Sequence, residues 1–91
     1  MPKTYALKIK QLKPDSEHKS FNESLLVSKI KLVQGLHIIL GLPLRVANPI
    51  ASDVSKGIFK IVGVKGTYDD AMRFIVWVDP WATVELITRE G

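Results

Sequence analysis

The sequence predicts an α+β domain in which a three-stranded antiparallel sheet is packed by three helices, in the order β-α-α-β-α-β. Three observations carry that expectation. Thr4 to Leu12 alternates Tyr5, Leu7 and Ile9 with Lys8 and Lys10, the period-two signature of a strand with one wet face. Lys29 to Asn48, reading KIKLVQGLHIILGLPLRVAN, repeats apolar residues at steps of three and four, through Ile30, Val33, Leu36 and Leu40 and through Leu32, Leu36 and Ile39. That spacing gathers them on one side of a helix. Gly57 to Val64, GIFKIVGV, is rich in β-branched and aromatic residues and apolar on both faces, as a central strand would be.

Taken in order, the first strand is followed by a polar loop from Pro14 to Asn22. Asn22 or Ser28 can cap the next helix, which is expected to be firmly formed from about Ser28. Gly41 supplies a left-handed helix end, and Leu42, Pro43 and Leu44 turn the chain at once into a second helix. Pro49 lacks an amide donor and Asn48 before it is pushed from helical angles, so the second helix should be short or kinked. After the strand at Gly57 to Val64, Thr67 and Asp70 have the spacing of a capping box. Ala71, Phe74, Ile75 and Val78 then form a buried stripe, Asp79-Pro80 ends it, and Thr83 to Thr88 is the last strand.

Ninety-one residues are expected to make a single domain, residues 1–91, with one core. Without cysteine there are no disulfides or thiolate metal sites, which fits a cytoplasmic setting. No apolar run reaches the roughly 20 residues of a bilayer span, and MPKTYALKIKQLK does not resemble a signal peptide. The net charge of +4 is concentrated in the first 50 residues, where eight Lys and Arg face three acids. Such a bias suits an acidic protein, a phosphate backbone or ordinary solvation.

The segment KIKLVQGLHIILGLPLRVAN is similar, without gaps, to the helix-corner-helix of the C-terminal domain of the bacterial ribosomal stalk protein. GIFKIVGV, the TYDDA helix start and the closing TVEL stand in the order found in that family. The resemblance covers most of the chain from Lys29 onward and implies three antiparallel strands beneath three helices. It also implies that the first helix and the corner recruit a translational GTPase, through Lys29, Ile30, Val33, Gln34, His37, Pro43, Leu44 and Arg45. Lys29 matches a basic position of the family, whereas Gln34, His37 and Asn48 stand where it has cations. Pro43 replaces a corner glycine and Val46 an acid. The family's N-terminal dimerising segment and hinge have no counterpart in this sequence. A free-standing copy is therefore expected, acting as adaptor, competitor or decoy, of the kind a phage or mobile element would encode. A protease adaptor shares the fold class, so fold alone does not decide between these roles.

The remaining candidates carry less chemistry. His37 can bind a partner or respond to pH, or simply occupy the helix boundary. His18 has no nearby ligand pair, and Asp69 and Asp70 are explained by capping, so no metal is expected. Trp77 and Trp81 are either binding anchors or seals on the end of a small core. The alternative function is a nucleic-acid-binding module using Lys8 and Lys10, which share a face, with Lys13, Lys19, Lys29, Lys31 and the rings of Tyr5 or Phe21. The absence of a glycine-rich phosphate loop, nucleophile elbow or metal-ligand spacing predicts a protein that is not an enzyme and needs no cofactor.

Overall fold

A strand that alternates apolar and charged residues can pair along both edges while burying only one face, and β1 (Lys3–Leu12) does so. The computed structural model describes residues 3–14 and 20–90. In it β1 lies between β2 (Lys60–Val64) and β3 (Ala82–Glu90), antiparallel to both. Leu7 stands between Val62 and Leu86, and Ile9 between Lys60 and Val84, on the face that the helices cover. Both are fully buried. A bulge between Ile9 and Gln11 inverts the alternation, so that Leu12 rather than Gln11 joins the core, opposite Ala82.

The GIFKIVGV segment departs from its expected place. Its strand starts only at Lys60 and forms a sheet edge, while Ile58, Phe59 and Ile61 are about half exposed. Apolarity on both faces suggested a central strand, yet the central place goes to β1, which pairs on both sides.

Helix α1 (Phe21–Ile38) begins earlier than either expected cap. Ser20, not Asn22 or Ser28, is the N-cap: its hydroxyl accepts the Glu23 amide at 3.5 Å. Ser28 is instead buried in mid-helix, where its hydroxyl donates to the Lys13 carbonyl, with the Ser24 carbonyl at 3.0 Å. A serine in mid-helix is tolerated when its hydroxyl bonds back in this way. Here it also stitches α1 to the end of β1.

The tight corner has the expected form. Gly41 adopts φ +73, and the Leu42 amide donates to the Leu36 carbonyl at 3.0 Å. Helix α2 (Leu44–Ser55) is longer than expected, because it runs through Pro49 for 12 residues. Pro49 and Arg45, whose carbonyl loses its partner, are both exposed, so water can satisfy that carbonyl while Ala47, Ala51 and Val54 dock in the core.

Helix α3 (Tyr68–Val78) opens on the anticipated capping box: Asp70 Oδ2 accepts the Thr67 amide at 3.0 Å, and Thr67 Oγ1 accepts the Asp70 amide at 3.4 Å. Ala71, Phe74 and Val78 are buried and Ile75 packs half-buried beside them. Helix α2 lies on β1 and β2, α3 lies on β1 and β3, and α1 contacts both helices. The other sheet face is not covered by a helix among the described residues.

Helix α1 meets α3 at Gly35. A Cβ there would stand 2.9 Å from Trp77 Cζ3 and 3.0 Å from Phe74 Cε2. Alanine adds about 1 kcal/mol of helix propensity, but the overpacking costs about 1–3 kcal/mol. Gly35→Ala is therefore expected to lower the urea midpoint, with a net loss near 1 kcal/mol. A midpoint that rises would show that the two rings can swing aside.

Candidate functional site

Leu32 and Leu36, fully buried, define the inward side of α1. At 100° per residue, Leu26, Ile30, Val33 and His37 follow at steps of four, three and four along one flank. Leu26 is 57% exposed and Ile30 49%, while Val33 is half-buried against the core. Beyond the corner, Leu44 is 50% and Val46 39% exposed, with Arg45 between them. Pro43 is exposed at the start of α2, and Lys29 is half-buried beside Ile30. His37 Nδ1 lies 2.7 Å from the Leu42 carbonyl, so the protonated Nδ1 donates and pins the helix end to the corner.

The structure thus carries Lys29, Ile30 and Val33 on α1 and Pro43, Leu44 and Arg45 at the corner. Gln34 points elsewhere. It lines a groove of about 220 Å³ between α1 and α3, with Gly35, Ile38, Ile39, Arg73 and Trp77. Leu26 is not among the residues expected from the sequence, because the helix is expected to be firmly formed only from about Ser28. The signal was present in Ser20 and Glu23, which have the S-x-x-E spacing of a helix start and place Leu26 inside the helix.

Lys8 and Lys10 do share the open face of the sheet, but each ammonium is already engaged. Lys8 lies 4.7 Å from the Phe59 ring centroid, and Lys10 is 2.9 Å from Glu85 Oε2. The wider platform of lysines with Tyr5 does not form. Tyr5 sits on the opposite face, edge-on to Tyr68 at 5.8 Å, because odd positions of β1 face the helices. Lys31 lies over Trp81 at 5.3 Å, and Lys13 donates to the Asp79 carbonyl at 2.9 Å. His18, Lys19 and the side chain of Phe21 lie outside the described residues. Trp77 and Trp81, with centroids 5.2 Å apart, are half-buried, and Trp77 packs on the core.

Comparison with protein-family models, with curated proteins and with solved structures gives no match.

Two surface ion pairs give a small part of the molecule's stability a dependence on pH. The hydrogen bond and charge of Lys60, with Lys56 adding, hold the Asp53 carboxyl below its ordinary value, against a desolvation that raises it. Lys10, with Lys8 adding, does the same for Glu85. A carboxylate with a depressed folded value contributes stability above its unfolded value of about 4. That contribution is lost as pH falls through the folded value. Carboxyl-carbon NMR titration is expected to place Asp53 and Glu85 below the ordinary range, and Lys60→Met and Lys10→Met to return each to it. High salt should narrow both depressions, since the pairs are partly exposed.

Proposed function

We propose that this chain is a non-catalytic protein-interaction domain of the ribosomal stalk type, whose α1 and corner dock a segment of another protein. The observation that carries this is the uncovered apolar series Leu26 and Ile30 on α1, with Leu44 and Val46 after the corner, bordered by Lys29 and Arg45. Exposed aliphatic side chains spaced i, i+4 on a helix are the pattern through which a helix and a partner helix or groove bury apolar area. The flanking cations favour a partner with acidic residues around its apolar anchor. A translational GTPase is the partner class that the resemblance of residues 29–48 indicates. In this reading the domain acts as an adaptor or a decoy at the partner's stalk-binding site, as a phage-encoded copy would.

The second reading, a nucleic-acid-binding module, has in its favour Lys8 and Lys10 on one sheet face, both beside Glu85. Their engagement with Phe59 and Glu85 weighs against it, since phosphate would have to displace both contacts.

The test is a titration of a bacterial elongation factor into isotope-labelled protein. Amide shifts are expected to concentrate on Leu26, Ile30 and Leu44. Ile30→Ser with Leu44→Ser should weaken binding at least tenfold, about 1.4 kcal/mol, and Lys29→Glu should weaken it further at low salt. Shifts confined to the Lys8 and Lys10 face, with salt-steep binding of RNA that Lys8→Glu and Lys10→Glu abolish, would replace this reading by the second.

A further inference from the structure

The sheet has two edges, and they are built differently. β2 is five residues long and begins at an ion pair, Lys60 to Asp53 at 2.8 Å, that fastens it to α2. A short edge of this kind presents little for another strand to pair with. β3 is nine residues long, contains neither proline nor lysine, carries its charges at Glu85, Arg89 and Glu90, and the bulge of the β1–β3 pair puts its extra residue in β1. Among the described residues no backbone group pairs with its outer side. Edges of soluble proteins are commonly interrupted by such residues or bulges.

From this edge we infer that the chain pairs with a second copy of itself, β3 against β3 antiparallel, about a two-fold axis through Ile87. The register follows from parity and charge. Directly opposed residues in an antiparallel pair share a face. Only registers that oppose residues of the same parity therefore keep the helix layers of both copies on one side. In β3 the open face carries Thr83, Glu85, Ile87 and Arg89, since their β1 partners Lys8, Ala6 and Thr4 occupy that face beside Glu85, Ile87 and Arg89. A two-fold through Glu85 sets Glu85 on its own copy, and one through Leu86 sets it on Ile87 with no compensating charge. The axis through Ile87 sets Glu85, one of whose oxygens holds Lys10 at 2.9 Å within its own chain, opposite Arg89 twice and Ile87 opposite itself. The two sheets then become one sheet of six strands with a continuous open face.

The chain has no cysteine, so one introduced thiol reports its own neighbours without ambiguity. A residue on the axis faces its copy across about 4.5–5.5 Å between Cα atoms, within disulfide reach. Under mild oxidation Ile87→Cys is expected to form a covalent dimer at least tenfold faster than Thr83→Cys or Thr88→Cys. Light scattering of the unmodified protein should show the mass rise with concentration from 10.2 kDa toward twice that value. Ile87→Lys and Ile87→Glu, each meeting its own charge on the axis, should each weaken dimerisation at least tenfold, and their mixture should restore it. A constant monomer mass up to millimolar concentration, equal crosslinking at all three positions, or failure of the mixture to restore pairing would overturn the inference. So would a monomer whose β3 amides shift only on addition of a foreign protein.

Discussion

The approach of α1 to α3 at Gly35 governs how the rest of the molecule can be arranged. With only a hydrogen where other residues carry Cβ, α1 comes against the rings of Phe74 and Trp77. A helix held that closely on one side has its rotation fixed. Leu32 and Leu36 are driven into the core, where a fully buried aliphatic side chain contributes about 1.5–3 kcal/mol. Leu26 and Ile30 are left outside by the same rotation. The surface proposed for partner binding is therefore a consequence of packing at the opposite flank of the helix.

Polar contacts then hold the middle and the C-terminal end of α1. The Ser28 hydroxyl reaches the Lys13 carbonyl, joining the helix to the end of β1. At the C-terminal end His37 holds the Leu42 carbonyl while the Leu42 amide is taken by Leu36. A hydrogen bond of this kind contributes only about 0.5–1.5 kcal/mol net, but two of them across a turn restrict its conformations. The corner can therefore present Leu44 and Arg45 in a defined position relative to α1, which reduces the ordering cost of binding a partner.

The sheet divides its labour by face. One side is sealed by helices around Leu7 and Ile9, and the other leaves Ile61 about half exposed and balances Lys8 and Lys10 with Phe59 and Glu85. These local pairings quiet the positive charge of the open face. Self-pairing along β3 would extend that face while leaving α1 and the corner uncovered on each copy, so that two partner segments could be held at once. Such divalence raises apparent affinity by effective concentration and requires no new contact with the partner.

Short-range chemistry makes much of this legible in the sequence. The alternation of β1, the capping box at Thr67 and Asp70, the stripe of α3 and the left-handed Gly41 each depend on residues within a few positions of one another. The pairing of Ser20 with Glu23 is equally local, although the expected caps, Asn22 and Ser28, both lie after Ser20. Tertiary structure decided what long-range packing controls. It made β1 rather than β2 the central strand and carried α2 through Pro49, whose lost hydrogen bond falls on the wet side. It set Tyr5 edge-on to Tyr68, brought Gln34 to the groove beside Trp77 and left Leu26 and Ile30 exposed. Periodicity marks which residues share a side of a helix or strand, but which side meets solvent is settled only by the elements that arrive to cover the other.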